Sequence, residues 1–162
     1  MKIEYDKLTA SLEDYLEAIY LIAQSCAVAR SKDIAEALGV AKPSVTSALR
    51  TLASRGLINY KAYGYVSLTE AGTEAAKGIV NKHSIIQDFF SDVLGIEAQT
   101  AQTAACELEH SLGPAIISKL LSFVEFIRSD DNGGRGILEN FKAFHNSRTL
   151  NEQNQEQYGK QH

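Results

Sequence analysis

The sequence of 162 residues has only two cysteines, and no uninterrupted apolar run approaches the roughly 20 residues that a membrane-spanning helix needs. The segment from Met1 to Thr9 is polar and charged without an apolar core, which argues against a secretory signal peptide. Cys26 and Cys106 lie far apart, so free thiols are expected. These absences predict a cytoplasmic protein with no membrane partner.

Positive charge is also scarce in the chain as a whole. The 16 Lys and Arg against 20 Asp and Glu give a net charge of −4, which argues against a nucleic-acid partner. Residues 42–82, however, hold six basic and two acidic residues, a local net charge of +4, and leave ten basic and eighteen acidic residues, or −8, elsewhere. A localised basic stretch suits contact with phosphates, although a solvated helix face would give the same count.

Hydrophobic periodicity and capping residues predict a mainly α protein with a small β-wing. The predicted helices span residues 11–24, 32–38, 43–55, 70–94, 97–112 and 115–127, with a short amphipathic segment over 137–144. Two short strands, 57–60 and 65–68, flank a Gly-containing turn and predict a β-hairpin. The predicted domains are a DNA-binding domain over 1–72, a helical domain over 73–145, and a polar, mobile tail over 146–162.

The order helix, helix, tight turn, helix, hairpin is that of a winged helix-turn-helix. The turn ends in Lys42, and Pro43 occupies the first turn of the next helix, where proline is tolerated. A recognition helix presents small polar groups near its N-terminus, where it enters the major groove. The predicted DNA-binding residues are Lys42, Pro43, Ser44, Thr46, Ser47 and Arg50, with Lys61 and Tyr63 of the hairpin. A helical bundle with an incidental hairpin is the alternative.

A second pattern predicts a metal site near the end of the fifth helix. Cys106, Glu109 and His110 are three and four residues apart, so they share one helix face and offer a thiolate, a carboxylate and an imidazole. Such S, O and N ligands suit a transition metal rather than calcium or magnesium. Taken alone, Cys106 could instead be a small buried apolar residue.

Three further residues are candidate ligands. Asp14 and Glu17 lie three residues apart, beside the apolar stripe of the first helix, and His83 lies midway along the fourth. Each also has a plain structural interpretation: a solvated helix edge for the two carboxylates, and an ordinary core or surface histidine for His83.

Seven motifs together resemble the diphtheria toxin repressor family, which includes iron-dependent repressors and manganese transport regulators. The resemblance covers residues 8–128. The motifs occur in this order: Asp14-Tyr15-Leu16-Glu17-x-Ile19-Tyr20, Asp33-Ile34-Ala35-Glu36-x-Leu38, Pro43-Ser44-Val45-Thr46, Gly56-Leu57-Ile58, Leu68-Thr69-x-x-Gly72, Lys82-His83 and Cys106-x-x-Glu109-His110. The resemblance to this family implies a homodimer that binds palindromic operator DNA when loaded with Fe(II) or Mn(II) and represses metal-uptake genes.

The resemblance also implies roles for single residues. It makes Asp14, Glu17, His83, Glu109 and His110 metal ligands, as in the manganese-responsive branch. Cys106 matches the iron-responsive branch instead, whereas Asp14 does not, so the chain is a hybrid of the two. Gln87 and Gln102 stand where the iron branch has ligands of an ancillary site, which weakens such a site here. The SH3-like domain of longer members is expected to be absent.

The soft thiolate of Cys106 favours Fe(II) over Mn(II), with Zn(II), Co(II) and Ni(II) as possible surrogates. Dimerisation is expected on the apolar faces around residues 85–94 and 116–127, which sequence alone does not separate from the core. Two rival hypotheses are a winged-helix regulator that senses a non-metal ligand and a metalloenzyme using Cys106, Glu109 and His110. The chain shows no paired base and nucleophile, so no enzymatic activity is predicted.

Overall fold

The computed structural model of the chain describes residues 8–25, 28–61, 64–129 and 133–159, and from residue 149 onward it describes the backbone alone. Within these residues the chain forms seven α-helices and three short strands. In order they are α1 Ala10–Ser25, β1 Ala29–Arg30, α2 Ser31–Leu38, α3 Lys42–Ser54, β2 Ile58–Tyr60, β3 Tyr65–Leu68, α4 Glu70–Asp88, α5 Ala98–Glu109, α6 Pro114–Arg128 and α7 Gly134–Gly159. The predicted class, mainly α with a small β-wing, is confirmed.

The chain divides into two compact units, Met1–Lys82 and His83–His162. In the first unit, α1, α2 and α3 pack with the strands around one apolar core. Fully buried side chains from these helices include Leu16, Ile19, Ile34, Val45, Leu49 and Leu52. The spacing of these residues is the helical spacing that the sequence showed, which is why the three predicted helices are confirmed.

The turn between α2 and α3 is set by Gly39. This residue has a φ of 64°, in the left-handed region that favours glycine. Its N–H bonds the carbonyl of Glu36 and the N–H of Val40 bonds that of Ala35, so the last carbonyls of α2 are satisfied. Pro43 then opens α3 in its first turn. The helix-turn-helix therefore follows from local backbone chemistry.

The three strands form one antiparallel sheet in the order β1–β3–β2. In the predicted hairpin, Ile58 pairs with Leu68 and Tyr60 with Val66. The strand β1 was not predicted, because two residues are too short to show an alternating pattern. It places Ala29 opposite Val66 and Arg30 opposite Tyr65.

The hairpin is joined to α4 through Thr69 and Gly72. The Thr69 N–H donates to the Leu57 carbonyl at 3.0 Å, and its hydroxyl contacts the carbonyls of Gly56 and Leu57 at 2.7 and 3.0 Å. The same hydroxyl accepts from the Gly72 N–H at 3.0 Å, which makes Thr69 the N-cap of α4. A Cβ at position 72 would lie 1.8 Å from the Leu57 carbonyl oxygen, so only glycine permits this approach.

The second unit contains the end of α4, then α5, α6 and α7. The sequence predicted one α-helix through residue 94, but the five residues Phe89–Val93 adopt a π-helical turn. This turn packs Val93 and Phe89 against Val124 and Ile127 of α6. The Arg128 guanidinium bonds the carboxylates of Asp92 and Asp88, which fixes the end of α6 to the same turn.

The last helix is longer than predicted. The sequence predicted a short segment over 137–144 and a polar tail from 146, whereas α7 runs from Gly134 to Gly159. Glutamate, glutamine and arginine are good helix formers, and adding residues to an existing helix is far easier than nucleating a new one. None of the helices described is both long and apolar enough to cross a bilayer.

Candidate metal centre and DNA-binding surface

The second unit places a buried carboxylate between two histidines. Glu109, the last residue of α5, has a fully buried side chain, with 0% of its surface exposed. One oxygen, Oε2, lies 2.7 Å from Nδ1 of His83 on α4, and the other, Oε1, lies 3.3 Å from Nε2 of His110. The sequence-predicted residues His83, Glu109 and His110 therefore lie together.

The position of His110 follows from the end of the helix. The residue is the C-cap of α5 and keeps a helical backbone, and its imidazole lies beside the Glu109 carboxylate. The two histidine side chains are only 17% and 14% exposed, which leaves the carboxylate shielded from water. Burial of an ionised carboxylate is costly unless hydrogen bonds or an opposite charge compensate it.

These three groups have the donor chemistry of a divalent-cation site. A carboxylate only accepts hydrogen bonds, so in the contact between Oε2 and His83 the imidazole Nδ1–H is the donor. If His83 donates through Nδ1, its Nε2 keeps a lone pair that can bind a metal ion. Two imidazoles and one carboxylate are ligands that Mn(II), Fe(II), Co(II) and Zn(II) all accept, so the residues present fit the predicted group.

Cys106 differs from the other residues of the predicted patch on α5. It is exposed and forms no disulfide bond among the residues described, and it lies one turn before the buried Glu109. The alternative that it is a buried apolar residue is therefore wrong, because this turn of α5 buries Ala105 and Glu109 instead. Its role as a ligand stays a prediction.

Asp14 and Glu17 lie in the first unit, one turn apart on α1. Both are half-buried and flank Tyr15, Leu16 and Ala18, which are buried. This agrees with the predicted position at the edge of the apolar stripe, and whether the two carboxylates ligate a metal stays a prediction. Gln87 is half-buried and Gln102 is exposed, and both are neutral amides.

The recognition helix α3 shows its polar face to solvent. Val45, Ala48, Leu49 and Leu52 are buried, which turns the opposite side of the helix outward. The predicted DNA-binding residues on that side are exposed, apart from the half-buried Thr46: Lys42, Pro43, Ser44, Ser47 and Arg50. The Thr46 hydroxyl donates to the Lys42 carbonyl at 3.2 Å, so its oxygen remains available as an acceptor.

Ion pairing divides the basic residues of the first unit into two groups. Lys77 pairs with Glu74 at 3.1 Å and Lys82 with Glu13 at 3.9 Å, and the contact with Glu74 raises the pKa of Lys77. Lys42, Arg50 and Lys61, by contrast, have no acidic partner within 4.0 Å among the residues described. The uncompensated charge of the basic stretch therefore lies on α3 and the hairpin.

The wing holds one basic residue that the sequence did not indicate. Arg30 of β1 is exposed, and its guanidinium carbon lies 5.5 Å from the centre of the Tyr65 ring on β3, a cation–π contact. No sequence pattern marked Arg30, because β1 was not predicted. Lys61 is exposed after β2, and the predicted Tyr63 lies outside the residues described.

Comparison with known proteins matches both units. The family model described as iron dependent repressor, N-terminal DNA binding domain, matches residues 7–66, and that described as iron dependent repressor, metal binding and dimerisation domain, matches residues 69–137. The chain is 38% identical over 119 residues to the uncharacterised HTH-type transcriptional regulator MJ0568 of Methanocaldococcus jannaschii, covering 73% of this chain and 95% of the relative.

Two further relatives agree with these matches. The chain is 31% identical over 123 residues to the HTH-type transcriptional regulator MntR of Bacillus subtilis, covering 76% of this chain and 86% of MntR. A solved manganese-dependent transcriptional repressor in complex with manganese superposes with a TM-score of 0.63 at 28% identity, covering 71% of this chain and 53% of that one. The chain thus spans about half the length of this solved relative but nearly the whole length of MJ0568.

Proposed function

Because the chain belongs to the iron-dependent repressor family of metal-dependent transcriptional regulators, we propose that it represses metal-uptake genes by binding palindromic operator DNA as a metal-loaded homodimer. Its action as a regulator rather than an enzyme, and its place in the cytoplasm beside DNA, are parts of the same proposal. The observation that carries the proposal is the buried Glu109 carboxylate held 2.7 Å from His83.

The DNA-binding half of the proposal is supported by the exposed face of α3. Small hydroxyl groups at Ser44 and Ser47 suit base edges in the major groove, while Lys42 and Arg50 suit phosphates. Lys61 and Arg30 extend the same positive surface onto the wing. In a symmetric dimer two such helices would read half-sites about one helical turn apart, which is why a palindrome is expected.

The metal half of the proposal takes the ligand set from the sequence. His83, Glu109 and His110 form its core, and we propose Asp14, Glu17 and Cys106 as the remaining ligands. A bound divalent ion would supply positive charge that stabilises carboxylates which otherwise repel one another. The ligand residues would hold this ion in place. Because they come from separate helices, binding of the ion would favour the conformation of the chain in which they lie together.

The identity of the metal follows from the donor chemistry. Carboxylates and imidazoles accept either Mn(II) or Fe(II), and the added thiolate of Cys106 favours Fe(II). The family is described as iron-dependent, whereas one solved relative is manganese-dependent. We propose Fe(II) as the physiological ion, with Mn(II) as the second candidate and Zn(II), Co(II) or Ni(II) as surrogates.

The test measures DNA binding against metal concentration under anaerobic conditions. A palindrome is first selected from a random DNA pool with the metal-loaded protein, and fluorescence anisotropy then follows its binding with Fe(II), Mn(II) or a chelator. The proposal expects tight binding only with metal. Binding that persists unchanged in the chelator would favour the rival regulator that senses a non-metal ligand.

A pair of variants on α5 locates the effect at the site. Glu109→Gln keeps the shape of the buried side chain but removes its charge, so activation should need at least about 10- to 100-fold more metal. Glu107→Gln removes the same charge from an exposed position two residues earlier and should change little. If Glu109→Gln responded to metal as the parent chain does, the proposed site would be wrong.

A further inference from the structure

The second unit contains an apolar cavity of about 200 Å³ that opens at the surface. It lies between the π-helical turn, α6 and α7, and Phe89 and Phe123 form one wall with ring centres 6.3 Å apart. Its other lining residues are Val93, Leu94, Ile127, Ile137, Leu138 and Phe141. All of these side chains are apolar, so the cavity offers a ligand no hydrogen-bonding partner and suits an apolar group.

A stripe of large apolar side chains on α7 leads away from this cavity. Ile137, Phe141 and Phe144 are spaced at i, i+4 and i+7, so they share one face of the helix. All three are exposed, and Phe144 is the most exposed large apolar residue described, at 62%. An aromatic side chain left in water forgoes the favourable free energy of burial, so a contiguous patch of this kind marks an interaction surface.

The size of the cavity matches an aromatic ring. An apolar cavity of about 150 Å³ is known to accommodate benzene, so one of about 200 Å³ has room for the phenyl ring of a phenylalanine. The rim residues Leu94, Phe123 and Ile137 are partly exposed and would be covered by whatever enters. One face of the chain thus carries both a protruding ring and a receptor for a ring.

We propose that Phe144 of one copy of the chain inserts into the apolar cavity of a second copy, and that the second copy does the same in return. A two-fold axis pairs a surface patch with itself, so a face that holds both parts is self-complementary. Six of the eight cavity residues lie within residues 69–137, the range matched by the metal binding and dimerisation domain, and α7 continues the same surface beyond it. The inference rests on the homodimer of the proposed function and names the side chains that form it.

The experiment measures the dimer dissociation constant of the full chain by sedimentation equilibrium, without DNA, both with Mn(II) and with a chelator. Truncating an aromatic residue seated in a pocket typically weakens an interface by at least about 30-fold. Phe144→Ala should do so, because both symmetric contacts are lost. Leu21→Ala removes a similarly exposed apolar side chain from α1 of the first unit and should leave the constant unchanged.

A double-mutant cycle tests insertion itself. Leu94→Trp places a larger group at the rim of the cavity and should weaken the dimer of the parent chain. In a chain that already carries Phe144→Ala, Leu94→Trp should weaken the dimer little further, because no phenyl ring remains for the tryptophan to displace. Circular dichroism checks that each variant keeps its helical content.

Three outcomes would overturn the inference: a Phe144→Ala chain that dimerises like Leu21→Ala, effects of Phe144→Ala and Leu94→Trp that simply add, or a parent chain that stays monomeric. A dimer that depends on Phe144 but shows no metal-dependent DNA binding would instead uphold this inference and refute the metal switch.

Discussion

The contact between Gly72 and the start of the hairpin allows a change in stability to be calculated from geometry. A Cβ at position 72 would lie 1.8 Å from the Leu57 carbonyl oxygen, whereas ordinary contact begins at 3.4 Å, so helix and carbonyl must separate by about 1.6 Å. The neighbouring atom is backbone and accepts the Thr69 N–H, so no flexible side chain can move aside. Overpacking costs about 1–3 kcal/mol, and we expect Gly72→Ala near the upper end.

Gly78 on the same helix provides a matched control. A Cβ there meets no atom within 4 Å, so Gly78→Ala should stabilise α4 by about 0.5–1 kcal/mol through helix propensity. For a chain of this size each kcal/mol shifts Tm by about 2–4 °C. Thermal unfolding followed by circular dichroism should therefore show Tm falling by about 6–12 °C in Gly72→Ala and rising slightly in Gly78→Ala. Equal shifts in the two variants would refute the close approach.

Three other changes probe DNA contact, ion pairing and metal choice. Arg30→Gln should weaken operator binding and reduce its salt dependence by about one phosphate contact. Lys119→Gln, on α6, is the control. Equal effects of the two changes would show that Arg30 does not contact DNA. The hydrogen bond from Arg128 lowers the pKa of Asp92 below its ordinary 3.8, so Asp92→Asn should destabilise the chain at neutral pH. The difference in unfolding free energy between the parent chain and Asp92→Asn should vanish as the pH falls through the lowered pKa of Asp92. Urea titrations that give the same difference at every pH would contradict this prediction. Cys106→Glu should shift activation of DNA binding from Fe(II) toward Mn(II), and an unchanged ratio of the two activating concentrations would exclude the thiolate from metal choice.

Local signals in the sequence predicted much of the fold. Gly39 and Pro43 mark one helix end and the next helix start, and Thr69 caps α4, because each acts on the backbone within a few residues. The π-helical turn Phe89–Val93 was not predicted, since its apolar residues also fit an α-helix and only packing against α6 distinguishes the two. The length of α7 was underestimated because a low apolar content is typical of tails and of exposed helices alike.

The candidate site divides in the same way. Glu109 and His110 were predicted from helix spacing, and His83 from its place in a motif, and the structure brings these three together. The burial of Glu109 beside the exposed Cys106 could not be predicted, because residues that share a helix face differ in burial according to what packs on each. Arg30 was missed because its position depends on a strand pairing between residues 35 apart in sequence.

The distribution of ion pairs explains how an acidic chain can bind DNA. Lys77 and Lys82 contribute to the basic count of residues 42–82, but each lies beside a glutamate. Arg55 is the C-cap of α3 and lies at the opposite end of that helix from Lys42 and Pro43. The charges that remain to contact phosphates are therefore Lys42, Arg50 and Lys61, joined by Arg30 outside that stretch. Four cations from each copy of a dimer would neutralise about eight phosphates, so the logarithm of the binding constant should fall with the logarithm of salt concentration with a slope of about −7. Counting all basic residues of the stretch instead would give twelve phosphates and a slope near −11. A measured slope closer to −11 would mean that the paired lysines also bind DNA and that ion pairing does not select the contact surface.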